Sequence, residues 1–197
     1  AWELWGEAGN DTIEGSSAAD AIFGGADGDV IKAGPGSDFV DAGSGNDRVY
    51  AFDPALNNAE ADYVLGGSGD DYIWTGQGDD QVDAGTGNDV VYAGAGNDVI
   101  DGSAGNDNLY GEAGADTILG GSGNDNLSGW VSVDALLETR PELASDYSDL
   151  AALSLISDAA GILSAPSSPP VFLGMDLADQ IAGQDGDDVI LGYDGAD

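Results

Sequence analysis

The sequence predicts an all-β fold in which one small unit is stacked on copies of itself. Three regularities carry that expectation: a period of nine residues, an aliphatic residue at one phase of it, and glycine and aspartate at two others. The clearest stretch runs from Gly66 to Ser128 as GGSGDDYIW, TGQGDDQVD, AGTGNDVVY, AGAGNDVID, GSAGNDNLY, GEAGADTIL and GGSGNDNLS, seven units with no gap. Glycine stands fourth in each. The sixth residues are Asp71, Asp80, Asp89, Asp98, Asp107, Asp116 and Asp125, and the eighth are Ile73, Val82, Val91, Ile100, Leu109, Ile118 and Leu127.

Each regularity has a physical meaning. Three residues flanking the eighth position alternate out, in, out on a short strand, so the aliphatic side chain faces a core and its neighbours face water. Valine and isoleucine suit that pleated slot. The six residues before it must turn the chain, and glycine supplies backbone angles closed to other residues. Asparagine ahead of aspartate, as at Asn88, Asn97, Asn106 and Asn124, also suits left-handed geometry. One aliphatic residue cannot bury itself, so the units must stack.

The pattern resembles the calcium-binding nonapeptide repeat of RTX (haemolysin-type) proteins, G-G-x-G-x-D-x-U-x with U aliphatic. The resemblance implies a right-handed parallel β-roll, a β-solenoid in which two nonapeptides make one turn. Repeats two apart then lie on the same side, and a cation sits between their stacked loops.

Taken in order, Glu3-Leu4-Trp5 is already in frame, with Leu4 in the aliphatic slot and Trp2 where aspartate belongs, so this half-unit closes an end without a ligand. Unit 6–14 is regular and carries Asp11. Unit 15–23 keeps Asp20 and Ile22 but lacks its second and fourth glycines, which makes its loop suspect. Unit 24–32 carries Asp29 and has Asp27 in place of glycine. Units 33–41 and 42–50 follow with Asp38 and Asp47. Unit 51–65 has six extra residues in its turn, a surface bulge, before Asp62 and Val64 resume the frame. All thirteen units from Gly6 to Ser128 keep the aspartate and the aliphatic residue.

From 129 to 173 the period vanishes. Ser132 starts a helical pattern that Pro141 interrupts, residues 149–160 place Leu150, Leu153 and Ile156 at helical spacing, and 165–170 reads as a stiff linker. This is a short, partly helical insertion between an array at 1–128 and resumed repeats at 174–197. The resumed part carries Asp179, Asp188 and Asp197, with Met175 and Leu177 where glycines belong. The chain opens on Ala1-Trp2-Glu3 and stops at the sixth position of a repeat, which reads as a segment of a longer protein.

Composition narrows the function. The formal net charge is −35, with three basic residues and no histidine or cysteine, and 33 of 197 residues are glycine. Such self-repulsion opposes collapse unless a cation belongs to the fold. Nucleic acid and anionic membranes are poor partners for this field, and no apolar run approaches the ~20 residues of a membrane span. Without histidine or cysteine there is no conventional triad, thiol nucleophile or zinc site, so no enzyme is expected. An outward threonine row of the ice-binding kind is missing, since the third position carries threonine only at Thr86.

Hard cations such as Ca²⁺ take six to eight oxygens from carboxylates and carbonyls. Glycine-rich turns expose carbonyls, and the sixth position adds one carboxylate per turn. Mg²⁺ demands a tighter octahedron and keeps its waters. Aspartate also favours turns for its own sake, but a turn former need not recur at one phase thirteen times. The thirteen units make eleven same-side pairs, and the resumed repeats add to them, which puts the expected complement at roughly a dozen Ca²⁺.

A second pattern lies at the ninth position of alternate units. Tyr50, Trp74, Tyr92 and Tyr110 share one outward face, and Phe23, Asp41, Leu65, Asp83, Asp101 and Leu119 the other. Such a ladder either stiffens a parallel sheet by self-stacking or binds sugar rings or a partner. The function expected is calcium binding by a calcium-dependent folding module of a secreted protein. Type I secretion and the remainder of a larger RTX protein are implied by the resemblance alone. The alternative is an adhesive, partner- or glycan-binding module that uses the aromatic face.

Overall fold

The structure is a computed structural model that describes residues 1–52, 59–129, 180–185 and 189–191. These residues belong to one compact unit, Ala1–Trp130 with Asp176–Asp197. The helical pieces and linker expected within 129–173, the tip of the bulge at 53–58, and Asp179, Asp188 and Asp197 lie outside the described residues.

The described residues form strands only, in two parallel eight-stranded sheets. The first sheet runs β1 (Glu3–Ala8), β3 (Ala21–Ala26), β5 (Phe39–Ser44), β7 (Tyr63–Leu65), β9 (Gln81–Asp83), β11 (Val99–Asp101), β13 (Thr117–Ser122), β15 (Gln180–Asp185). The second runs β2 (Thr12–Glu14), β4 (Val30–Lys32), β6 (Arg48–Tyr50), β8 (Tyr72–Gln77), β10 (Val90–Ala95), β12 (Asn108–Ala113), β14 (Asn126–Ser128), β16 (Val189–Leu191). Successive strands alternate between the sheets, so two nonapeptides complete one turn of a β-solenoid. The register is strict: Val91 lies beside Leu109, and Ile100 beside Ile118. Across the bulge it holds without a slip, pairing Val40 with Val64 and Val49 with Ile73. A loop tolerates six extra residues because its length costs little once its ends are fixed by the ladder.

The eighth-position residues of both sheets meet in one core cluster. Ile22, Ile31, Val40, Val49, Val64, Ile73, Val91, Ile100, Leu109, Ile118 and Leu127 are all fully buried. At the first turn Leu4 packs against the cluster while only partly buried, and β1 adds an edge strand beside β3.

Several strands run longer than the three residues expected. In β8 the pleat continues past Ile73 and Trp74 to bury Thr75, the first residue of the next unit. Ala33, Ala42, Ala51, Ala84 and Ala93 occupy the same phase and join the core cluster. The first position is therefore a second inward slot. Glycine, alanine and one threonine fill it, and at Gly6 or Gly66 an added Cβ would strike the carbonyl of the next turn in the stack.

Candidate metal centre

The loops are built by a pair of left-handed residues. Gly67 and Gly69 have φ of +101° and +123°, and the second and fourth residues of the other regular loops do the same. Glu7, Ser103 and Glu112 adopt it at the second position and Asp27 at the fourth, with φ between +66° and +74°. This reverses the chain and stacks each loop on the loop two units away. Gly69 N–H donates to the Thr86 carbonyl at 2.7 Å, and Thr86 N–H to the Gly67 carbonyl at 2.9 Å.

At the end of each loop the sixth-position aspartate turns inward. Asp29, Asp38, Asp47, Asp71, Asp80, Asp89, Asp98 and Asp107 are each 0–2% exposed. One carboxylate oxygen locks the stack. Asp71 N–H donates to Asp89 Oδ1 at 2.8 Å, and Asp89 N–H to Asp107 Oδ1 at 2.8 Å. All eleven same-side pairs from Asp11 to Asp125 are joined this way. The links form two separate rows. Asp11, Asp29, Asp47, Asp71, Asp89, Asp107 and Asp125 stand in one; Asp20, Asp38, Asp62, Asp80, Asp98 and Asp116 stand in the other.

The second oxygen is different. Oδ2 of Asp11, Asp29, Asp38, Asp47, Asp71, Asp89, Asp98 and Asp107 is buried and has no hydrogen-bond partner. A buried carboxylate oxygen without a donor is costly, and its effect shows in the acidities. Burial pushes the Asp98 carboxyl up to about 8; the Asp80 amide opposes the rise, and the charges of Asp116 and Asp80 add to it. Burial likewise raises Asp71 and Asp89 to about 7 and Asp107 to about 6. Asp62 rises to about 8 and Asp38 to about 6 for the same first reason.

The donor set fits a hard cation. A side chain added at Gly6 would collide with the Gly24 carbonyl oxygen, and its Cβ would stand 3.0 Å from Asp11 Oδ2. At Gly66 the same space is closed by the Ala84 carbonyl, with Asp71 Oδ2 at 2.9 Å. Carboxylate and carbonyl oxygens from successive turns therefore converge where glycine leaves room. Among the described residues no three acidic side chains gather into a cage, so carbonyls must supply most of any coordination sphere. That mixture suits Ca²⁺.

Comparison with known proteins agrees with this geometry. The model of the RTX calcium-binding nonapeptide repeat (4 copies) matches residues 3–31, 23–51, 57–91, 92–127 and 173–197. The chain belongs to that family. None of the curated proteins matches it.

Two features of this RTX chain were not legible from the repeat formula. Asn88, Asn97, Asn106 and Asn124 suit left-handed geometry, but none has a positive φ. Asn88, Asn106 and Asn124 form a ladder along one row of loop crests instead, while Asn97 donates to Asp79 Oδ1 in the other row. Asn88 Oδ1 accepts from both the main-chain N–H and the side-chain amide of Asn106, at 3.0 Å each, and Asn106 Oδ1 accepts from Asn124 N–H at 2.9 Å. Loop 15–20 is the second. Neither Ser16 nor Ala18 is left-handed. Ser16 N–H and Oγ–H donate to Asp20 Oδ2 at 2.6 and 2.8 Å, and Trp2 N–H donates to Oδ1 at 2.5 Å. Burial acts to raise the Asp20 carboxyl, but the Ser16 donors, the Trp2 amide and the N-terminal charge together outweigh it and hold the group below the usual carboxylate range.

The aromatic residues lie where the register puts them. Tyr50, Trp74, Tyr92 and Tyr110 occupy neighbouring strands in line. Tyr92 stacks on Tyr110 with ring centroids 4.8 Å apart, and Trp74 packs against Phe52 at 4.3 Å. Trp74 and Tyr92 are only 6% and 5% exposed, so this row is closed over its middle. A second row, unanticipated, combines ninth and seventh positions on the first sheet. Trp5 stacks on Phe23 at 4.1 Å, and Phe39 on Tyr63 at 5.7 Å. Among the described residues no helix is long and apolar enough to cross a membrane.

Proposed function

We propose that this segment is a calcium-dependent folding module of a secreted RTX protein. The observation that supports it most is the row of buried, partnerless Oδ2 atoms beside converging carbonyls. A cation there replaces the missing donors and removes the repulsion between stacked carboxylates. The ligands in this reading are the sixth-position carboxylates of the regular loops, among them Asp11, Asp29, Asp47, Asp71, Asp89, Asp107, Asp38, Asp80 and Asp98. Because each ion bridges two turns, binding and folding share one free energy. Extracellular calcium modules work at ~10⁻⁴–10⁻³ M, so the chain stays open in a cell and folds outside it. That ordering suits export through a type I route as part of a longer chain.

The module acts as a scaffold, and the sequence offers no histidine or cysteine for conventional catalysis. The stacked rings of Tyr50, Trp74, Tyr92 and Tyr110 serve the sheet. Residues 1–128 form the main array and 174–197 its resumption after the 129–173 insertion, a division favoured by the pairing of β15 with β13 and β16 with β14. Equilibrium dialysis against Ca²⁺ and Mg²⁺ tests the ligand. Several Ca²⁺ per chain at millimolar free ion, with Mg²⁺ failing to compete at equal concentration, is expected. Binding of at most one Ca²⁺ would dismiss the reading.

A further inference from the structure

We propose that Ser16 closes the cation site in loop 15–20, which removes one cation from the row that runs from Asp20 to Asp116. The inference rests on the calcium reading above and concerns how the sites are distributed. In the row from Asp11 to Asp125 every loop carries left-handed residues at its second and fourth positions, from Glu7 and Gly9 to Gly121 and Gly123. In the row from Asp20 to Asp116 the first loop does not. Loop 15–20 reads GSSAAD, where Ser16 and Ala18 replace glycines.

Serine is short enough to fold its hydroxyl back onto a nearby carboxylate, as it does in turn motifs. Here its amide and hydroxyl both reach Asp20 Oδ2, at 2.6 and 2.8 Å. That is the atom left without a donor in Asp38, Asp98 and other regular loops. Asp20 Oδ1 is also engaged, by Trp2 N–H and Asp20 itself donates to Asp38 Oδ1. A cation at Asp20 would have to displace two donors and leave the Ser16 amide stranded. The loop also lacks the left-handed pair of the regular loops, although the Ala33 carbonyl lies beside Asp20 Oδ2 at the Gly15 slot as in those loops. Two intramolecular donors therefore stand in for the ion.

The same row loses regularity again at 51–62, which contains no glycine. Over the first turns that row then offers one regular loop, at Asp38, against three in the other, at Asp11, Asp29 and Asp47. Lowering Ca²⁺ loosens this end before the regular turns beyond Gly66.

Counting bound ions by native mass spectrometry of the 197-residue chain in Ca²⁺ tests the idea. The double variant Ser16→Gly, Ala18→Gly rebuilds a regular loop and should bind one more Ca²⁺ than the parent chain. Asp20→Asn should bind as many as the parent, whereas Asp89→Asn should lose at least one. An unchanged count in the double variant, or an ion lost from Asp20→Asn, would overturn the proposal. If the parent bound no Ca²⁺ at all, the calcium reading itself would fail, which is a separate outcome.

Discussion

At Gly87 the chain has φ of +133°, and a Cβ there would collide with the Gly69 carbonyl and stand 3.1 Å from the Asp70 amide nitrogen. At Gly9 φ is +110°, yet an added Cβ meets nothing within 4 Å. Both substitutions to alanine carry the left-handed penalty of about 1–2 kcal/mol. Gly87→Ala must in addition separate two stacked turns, and should cost roughly 3 kcal/mol or more. Urea unfolding at fixed Ca²⁺ checks the contrast; equal costs would mean that backbone stacking does not select glycine here. Residue type alone exposed the need for glycine in the turn, because the φ requirement is local. It could not expose the Asn88–Asn106–Asn124 ladder, which exists only once residues eighteen apart are neighbours. Nor could it tell that Ser16 would complete Asp20, since serine also fits an ordinary turn.

Turn and strand together are the element that couples, and the coupling has a direction. Asp89 N–H binds Asp107 Oδ1, whereas Asp98 N–H binds Asp116 Oδ1 in the other row. Asp89→Ala and Asp107→Ala should therefore interact by about 0.5–3 kcal/mol in a double-mutant cycle, with the second change costing less once the first has been made. Asp89→Ala with Asp98→Ala should be additive within about 0.5 kcal/mol, since only the shared core joins them. Shifts of the Ca²⁺ midpoint read both cycles, and stronger coupling for Asp89 with Asp98 would contradict the two-row arrangement. The out-in-out pattern of the strand was visible in the sequence because one aliphatic residue recurs at one phase. The second inward slot at Ala84 or Thr75 was not, because glycine and alanine there read equally well as turn residues. The eleven aspartate pairs were foreseeable from the period, but the division of labour between Oδ1 and Oδ2 needed the ladder.

For the whole molecule the decisive quantity is charge. Burying one aliphatic side chain is worth about 1.5–3 kcal/mol, small beside the cost of ordering nine residues at about 1–2 kcal/mol each for the backbone. The stack must also hold a formal net charge of −35. Protons and cations are the two ways to relieve it, and they compete for the same carboxylates. In the cation-free fold Asp107 stands near 6, Asp71 and Asp89 near 7 and Asp98 near 8, all above the ordinary 3.8. A raised acid favours the folded state where it is protonated. Its contribution is full below about pH 3.8 and is lost as pH rises through about 6 to 8. At neutral pH the cation must replace what the protons supplied, so the Ca²⁺ midpoint of folding should rise as pH is raised from 5.5 to 8. Far-ultraviolet circular dichroism across a Ca²⁺ titration at pH 7.5, begun in chelator, tests the central claim most directly. The coupled roll predicts a spectrum without β signal in chelator, a cooperative gain of β signal by millimolar Ca²⁺, and a lower midpoint when the titration is repeated at pH 6. The same β spectrum in chelator and in Ca²⁺ would contradict it.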